Sequence, residues 1–192
     1  MARPGDRRPM ITDHAIAVLA EGGARALSHQ AVDKAAGLAK GSTSYYFRTR
    51  RDLVIATIER VREHSREAFE ESPTPLTITP RTAATLMEAQ LRLLAEARRH
   101  EALAVFSLLP EVADDIELSA QLAGCLFSRD LAKKLLIALG GSDADRLSLD
   151  LIDFLTGILF RLLFRQRHTE DADAMPIADS LQRFLMIASS TC

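Results

Sequence analysis

Apolar residues recur along the chain three or four residues apart, which is the spacing of helices with one buried face. The first such face comprises Ile11, Ala15, Val18 and Leu19, and the pair Gly22–Gly23 then ends the helix. The same pattern predicts about nine helices along the chain, with glycine, proline and capping residues between them and no strand. The expected fold class is therefore all-α.

Three short helices are predicted within the first fifty residues. Ser28 is a suitable N-cap for the second helix, which runs to Ala36, and the turn Gly37–Ala39 leads into a third helix over Lys40–Phe47. Two short helices joined by a turn that contains glycine form a helix-turn-helix, here at about residues 28–47. Such a unit lays its second helix in the major groove of DNA.

Longer helices are predicted for the rest of the chain, over residues 49–69, 80–100, a shorter segment that ends near Pro110, 114–139, 142–168 and from Pro176 onward. The longest apolar stretch, Phe154–Phe164, contains Arg161 and is too short to cross a bilayer. The polar, basic start is unlike a signal peptide, so we expect a cytoplasmic protein with no membrane partner.

Charge is distributed unevenly along a chain whose formal net charge is only −2. Residues 1–51 carry nine Lys or Arg against four Asp or Glu, a net of +5, whereas the remainder has a net of −7. The window Lys34–Arg51 holds five basic residues and no acidic residue. A basic end on an acidic body indicates contact with a polyanion, although a solvated charged face is the alternative for a charge run alone.

The third predicted helix has the residue types of a DNA-reading helix. Its start is small and rich in hydroxyls, which permits close approach to base edges: Gly41, Ser42, Thr43 and Ser44. Lys40 can donate to guanine, and the Thr43 methyl group can contact thymine. Three arginines follow as phosphate partners, namely Arg48, Arg50 and Arg51. The alternative is an ordinary antiparallel helix pair whose outer helix is polar.

The segment Arg25–Leu53, and above all Gly37–Phe47, resembles the DNA-binding signature of the tetracycline-repressor (TetR) family. The resemblance covers about the first 60 residues. It implies an all-helical homodimer that represses transcription and leaves its DNA operator when a small molecule binds. Residues 1–52 are then the expected DNA-binding domain, and residues 53–192 the expected ligand-binding and dimerisation domain. A two-fold dimer implies an approximately palindromic operator.

The resemblance also implies roles for single residues. Ser28 would cap its helix near a phosphate, and His29 and Gln30 would lie at the groove edge. Lys40 and Ser42 would face bases. The residues expected at the DNA backbone are Tyr45, Tyr46 and Arg50.

This chain departs from the family pattern at three positions of the motif. Ala39 stands where the family often has a capping serine, Ser44 where it often has tyrosine, and Asp33 where it usually has alanine. Asp33 has two interpretations. It either turns inward to cap the third helix or pair with a basic residue, or it lies solvated on the exposed side.

The last two helices carry the apolar faces expected of a dimer interface. The resemblance places a four-helix contact there, and the candidate residues are Leu151, Leu155, Ile158, Leu162, Ile177, Leu181, Phe184, Leu185 and Ala188. A helix that is apolar around so much of its circumference needs burial on more than one side. On pattern alone, a central helix in a monomeric core is the alternative.

The resemblance places a ligand pocket in the middle helices, where the candidates are Gln90, Phe106, Cys125 and Arg129. Core packing is the alternative for Cys125 and Phe106, and a surface position is the alternative for Arg129.

No metal or cofactor is expected, because the two cysteines and five histidines lack ligand spacing. A small all-α enzyme and a helical adaptor that does not bind DNA are the competing functions; salt-sensitive DNA binding would exclude the adaptor.

Overall fold

The computed structural model describes residues 6–71, 77–164 and 176–190. Within these ranges the chain forms ten α-helices and no strand, which confirms the all-α prediction. The helices are α1 Arg8–Gly22, α2 His29–Ala35, α3 Ser42–Tyr46, α4 Arg50–Glu70, α5 Pro80–Ala95, α6 Arg99–Val112, α7 Ile116–Ala123, α8 Arg129–Ala138, α9 Ala144–Phe164 and α10 Ile177–Ser190. None of the described helices is both long and apolar enough to cross a membrane.

The tenth helix arises because the segment predicted as one helix, residues 114–139, forms two. Gly124 closes α7, and the Ser128 hydroxyl oxygen accepts the Leu131 N–H at 3.3 Å to start α8. The glycine and the capping serine signalled this break. The apolar stripe that continues across them led to the prediction of one long helix.

Other helix boundaries also differ from the prediction. The third helix begins at Ser42 rather than Lys40, because Gly41 has a φ of 92° and stands outside it as the N-cap. Helix α6 continues through Pro110 to Val112. The predicted end of α9 near residue 168 and the predicted loop 171–175 lie outside the described residues.

The chain divides into two compact units. The described part of the first comprises residues 6–71 and 100–126, in which α1 packs against α2 and α4. Its largest fully buried side chains are Ile11, Ile16, Leu19, Leu27, Leu53, Ile58, Leu108 and Leu122. Arg60 of α4 also donates to both carboxylate oxygens of Asp13 on α1, at 2.7 and 3.2 Å. Helix α1 is thus fixed to the long helix α4 by apolar and charged contacts.

The described part of the second unit comprises residues 77–99, 127–164 and 176–190. Helix α5 packs against α10 and α9, and α8 packs against α9. Glu88 of α5 accepts the Ala178 N–H at the start of α10 at 3.2 Å, and Arg81 forms an ion pair with Asp179 at 2.6 Å. The beginning of α10 is therefore held by polar side chains of α5.

Candidate nucleic-acid interface

The turn between α2 and α3 depends on two glycines with a left-handed backbone. Gly37 has a φ of 63° and Gly41 a φ of 92°, a region that side-chain-bearing residues rarely adopt. Gly37 follows the last turn of α2, where the Leu38 N–H donates to the Asp33 carbonyl oxygen at 2.8 Å. The second glycine reverses the chain into α3. The sequence thus fixes a tight connection between the two short helices.

Side-chain caps hold the helices on both sides of α3 at their predicted starts. The Ser28 hydroxyl oxygen accepts the Ala31 N–H at 3.2 Å and begins α2. At the start of α4, Thr49 and Asp52 form a capping box, with hydrogen bonds of 3.0 Å to the Thr49 hydroxyl and 2.9 Å to the Asp52 carboxylate. Both predictions are confirmed.

Asp33 turns inward and is only 3% exposed. Its Oδ2 accepts the Gly41 N–H and its Oδ1 accepts the Thr43 N–H, both at 2.7 Å. Burial raises the pKa of this carboxyl group, but the hydrogen bonds from Thr43 and Gly41 lower it more, so the pKa lies below its usual value. The prediction that Asp33 caps the third helix from α2 is confirmed, and the solvated alternative is wrong.

The outer surface of the motif is polar and basic. Exposed residues on it are Ser28, Gln30, Lys40, Gly41, Ser44, Tyr45 and Arg48, and Ser42 and Tyr46 are half-buried. An open depression of about 880 Å³ beside α3 is lined by Arg8, Gly41, Ser44, Tyr45, Tyr46 and Arg48. Tyr45 is 81% exposed, and its ring meets that of Tyr46 edge-on at 5.2 Å between centroids. This surface offers hydroxyl, cationic and aromatic groups together.

Arg8 belongs to this surface although the sequence interpretation did not select it. It lines the depression, and its guanidinium carbon lies 6.0 Å from the centre of the Tyr46 ring. The signal available in the sequence was the basic start of the chain. Its position beside α3 follows only from the way α1 packs.

Two residues predicted to contact DNA, Thr43 and His29, are instead buried or hydrogen-bonded within the protein. Thr43 is fully buried, so the prediction that its methyl group touches thymine is wrong. Its position in the short helix places the side chain on the inner face, next to Asp33. His29 is half-buried, and its Nε2 donates to the Phe47 carbonyl oxygen at 2.7 Å, so this ring links α2 to the end of α3.

Arg50 is also engaged within the protein. Its Nε donates to the Leu27 carbonyl oxygen at 3.1 Å, and its Nη2 to the Ala24 carbonyl oxygen at 2.7 Å. Its Nη1 forms an ion pair with Glu111. A guanidinium with these three partners connects the start of α4 to the segment before α2 and to α6, rather than extending toward a phosphate as predicted.

Arg51 forms an ion pair with Asp115 at 2.6 Å. The hydrogen bond from Arg51 is the main cause that lowers the pKa of Asp115. Both side chains are partly exposed, so solvent weakens this interaction. Three arginines were predicted as phosphate partners. Arg50 and Arg51 form ion pairs within the protein, whereas Arg48 forms none with the described residues and lines the depression beside α3.

The family model for bacterial regulatory proteins of the tetR family matches residues 11–57. The matched segment runs from α1 into α4 and contains the turn, Asp33 and the outer surface of α3. Residues 11–57 therefore match the DNA-binding region of the TetR family. The resemblance found in the sequence is thereby confirmed, and the protein is a helix-turn-helix, DNA-binding transcription regulator.

Solved structures share the TetR fold over nearly the whole chain. A member of the family from Streptomyces coelicolor A3 is 22% identical, with a TM-score of 0.68 over 93% of this chain and 98% of its own. A TetR-type transcriptional regulator from Streptomyces avermitilis is 20% identical, with a TM-score of 0.70 over 95% and 98%. The multidrug-binding protein EbrR, complexed with imidazole, is 22% identical, with a TM-score of 0.63 over 96% of both chains. The search of curated protein sequences gave no match.

Most of the residues predicted for the dimer interface are buried within the chain itself. At most 8% of each is exposed for Leu151, Leu155, Ile158, Ile177, Leu181, Leu185 and Ala188, whereas Leu162 and Phe184 are half-buried. These seven residues pack inward because the helices must first bury one apolar face in their own core. The prediction that these seven side chains form the surface of a dimer interface is wrong.

Other apolar side chains on the same two helices point outward. They include Phe160 at 55%, Phe164 at 47%, Met186 at 51% and Ile187 at 71% exposed. A groove of about 380 Å³ between α9 and α10 is lined by Asp153, Phe154, Gly157, Ile158, Arg161 and Ser180. A Cβ atom added at Gly157 would meet no atom within 4 Å, so this stretch of α9 is open to close approach.

The four residues predicted for the ligand pocket have different surroundings. Cys125 is fully buried; its thiol donates to the Ile58 carbonyl oxygen at 3.5 Å, and burial raises its pKa to about 12. Arg129 is exposed beside Asp145, at 3.9 Å. Gln90 and Phe106 are half-buried in α5 and α6, respectively. Neither the depression beside α3 nor the groove on α9 is lined by any of the four.

Proposed function

We propose that this protein is a homodimeric transcriptional repressor that a small-molecule ligand releases from its operator. The observation that carries the proposal is the outer surface of α3. Hydroxyl, arginine and tyrosine side chains line an open depression there, and Lys40, just before the helix, is exposed. Small residues allow close approach to base edges, and cationic groups bind phosphate. The first 52 residues carry these contacts, and the rest of the chain carries ligand binding and dimerisation.

We assign the base contacts to Lys40, Ser42 and Ser44, which lie at or next to the start of α3. Contacts to the DNA backbone come from Ser28, Gln30, Gly41, Tyr45, Tyr46, Arg48 and Arg8. Two members of the predicted set have a different role. His29 and Arg50 hold the motif together through their hydrogen bonds to backbone carbonyl oxygens.

The dimer forms through the outward faces of α9 and α10. Their exposed phenylalanine, methionine and isoleucine side chains would lose contact with water when a second copy packs against them. Gly157 lets the two backbones come close at the centre of such a contact. A two-fold pair of recognition helices then spaces the half-sites about one DNA turn apart, near 34 Å, or a multiple of it.

In vitro selection tests DNA recognition. Purified full-length protein is incubated with random duplexes, the bound DNA is sequenced, and the preferred duplex is titrated at several salt concentrations. We expect an approximate palindrome whose affinity falls steeply with salt, because phosphate contacts release counterions. A protein that enriches no sequence and whose DNA binding does not depend on salt would contradict the proposal.

Release by a ligand is tested in two steps with the selected operator. A thermal-shift screen of metabolites and drugs finds compounds that raise the melting temperature, as expected for a ligand that binds the folded state. Each hit is then added to the protein–operator complex. A hit that stabilises the free protein should lower its operator affinity; hits that all leave operator affinity unchanged would contradict ligand release.

A further inference from the structure

Helix α3 is too short to hold its own position. It has five residues, no side chain caps its first turn from within the helix, and isolated helices of this length are unstable in water. Its placement therefore comes from side chains of other segments. The structure provides such contacts at both ends, through Asp33 at the start and His29 at the end.

Asp33 is the stronger of these two contacts. Each of its carboxylate oxygens receives one N–H, from Gly41 and from Thr43, and both bonds are 2.7 Å long. Hydrogen bonds to an ionised acceptor are stronger than neutral ones, and this pair is shielded from water because Asp33 is only 3% exposed. The two bonds fix the N-cap residue and the second helical residue relative to α2.

The negative charge of Asp33 does not face the DNA-binding surface. Its two oxygens point at backbone N–H groups, and the coulombic effect of His29 also favours the charged form. An acid in a basic surface would otherwise repel phosphate. Because the charge is buried and hydrogen-bonded, the motif keeps an acidic residue without an exposed acidic spot.

We propose that Asp33 is the positioning residue for DNA recognition, which sets where Lys40, Ser42 and Ser44 stand relative to base edges. The inference rests on the proposed function, since it concerns the same DNA-binding surface. Base contacts depend on the exact placement of a few donors and acceptors, whereas phosphate contacts tolerate small shifts. Loss of Asp33 therefore affects discrimination between sequences more than it affects binding to DNA in general.

The test compares Asp33→Ala and Asp33→Asn with a matched control, Asp52→Ala. Asp52 is also an aspartate that accepts a capping N–H, from Thr49 at 2.9 Å, but it is exposed and belongs to α4. Each alanine variant removes one negative charge and one helix cap. Fluorescence anisotropy measures affinity for the selected operator and for a scrambled duplex of equal length, at a temperature where circular dichroism shows each variant folded.

We expect Asp33→Ala to weaken operator binding on the order of tenfold, the size of a mismatched base pair, with little change for the scrambled duplex. Asp33→Asn retains one acceptor oxygen and should lose less. Asp52→Ala should keep the wild-type ratio of the two affinities. Amide hydrogen exchange at Gly41 and Thr43 should become faster in the Asp33 variants and remain unchanged in the control.

The outcomes separate this proposal from the proposed function. A wild-type protein that prefers no duplex would overturn both. A wild-type protein that prefers its operator, with Asp33 variants of equal preference, would overturn the positioning role alone. If Asp33→Ala does not fold, Asp33→Asn decides: a wild-type affinity ratio in that variant would overturn the proposal, and a reduced ratio would support it.

Discussion

The outer face of α3 and the outer faces of α9 and α10 differ in the side chains they present. At α3 the exposed side chains are Ser44 and Tyr45, with Lys40 just before the helix, whereas α9 and α10 expose Phe160 and Ile187. A polar and basic surface suits a polyanion, and an apolar surface suits a second protein surface. The two regions thus fit the two kinds of contact that an operator-binding dimer needs.

The two regions also share a feature. In each, part of the predicted contact set turned out to be buried: Thr43 in α3, and Leu181 in α10. Each of these helices uses one face to pack on its own unit, and only the remaining face is available to a partner. The position of a residue in a motif therefore indicates which helix carries it, and burial decides whether its side chain can contact a partner.

A charge placed on the buried face of α10 should have the strongest effect. Leu181 is 0% exposed, so Leu181→Asp would place an unpaired charge in the core of the second unit. We expect the variant to lose more than about 3 kcal/mol of stability, which urea denaturation would measure. A stable, folded Leu181→Asp protein would mean that this face of α10 is not core.

Ile187→Asp is the matched variant on the exposed side of the same helix. Ile187 is 71% exposed, so the new charge remains solvated in the single chain, and the proposed dimer should dissociate without unfolding. Light scattering measures the mass, and circular dichroism measures the helix content. A folded dimer of unchanged mass would place the interface elsewhere.

Two arginines of the first unit, Arg50 and Arg48, should have different roles. Arg50→Ala leaves the carbonyl oxygens of Ala24 and Leu27 without this donor, so we expect a loss of about 1.5–3 kcal/mol in unfolding free energy. Arg48→Ala should leave stability unchanged and reduce the salt dependence of DNA binding by about one unit of slope. Equal effects of both variants on stability and on the salt slope would contradict the assignment of Arg50 to stability and of Arg48 to phosphate binding.

Lys40 should contribute to the recognition of one base pair of the operator rather than to DNA binding at every position. Lys40 is exposed next to the N-cap of α3, and Lys40→Ala should relax discrimination at one position of the operator by about 1–3 kcal/mol. The control is Lys34→Ala, which removes the same charge from α2. Titrations against single-base operator variants measure both, and a uniform loss for Lys40→Ala would show a phosphate contact instead.

The smallest expected effect is the pH dependence that Asp33 adds to stability. Hydrogen bonds from Thr43 and Gly41 outweigh burial and keep the pKa of Asp33 below its usual value of 3.8. A group with a depressed pKa in the folded state stabilises the protein above its unfolded pKa, and this contribution is lost as the pH falls. The difference in unfolding free energy between wild type and Asp33→Asn, about 1 kcal/mol, should shrink as the pH falls below 3.8. A difference that stays constant would show that the ionised form is not responsible.

Much of the first unit could be predicted from the sequence because its signals are local. The caps Ser28 and Thr49 and the turn glycines act on residues within four positions of themselves. Asp33 was predictable because the short turn leaves few places for its side chain. The break between α7 and α8 was missed although Gly124 and Ser128 signalled it, because one apolar stripe continues across them.

The all-α class and the helix-turn-helix follow from the sequence alone, since periodicity, caps and turn residues are properties of neighbouring positions. Only the tertiary structure decided which faces remained exposed. The partners of Arg50 lie 23, 26 and 61 residues away along the chain, and Arg8 reaches the α3 surface only through the packing of α1. Burial and distant pairing follow from how helices pack against each other, because the free energy of removing apolar area from water depends on neighbours that are remote in sequence.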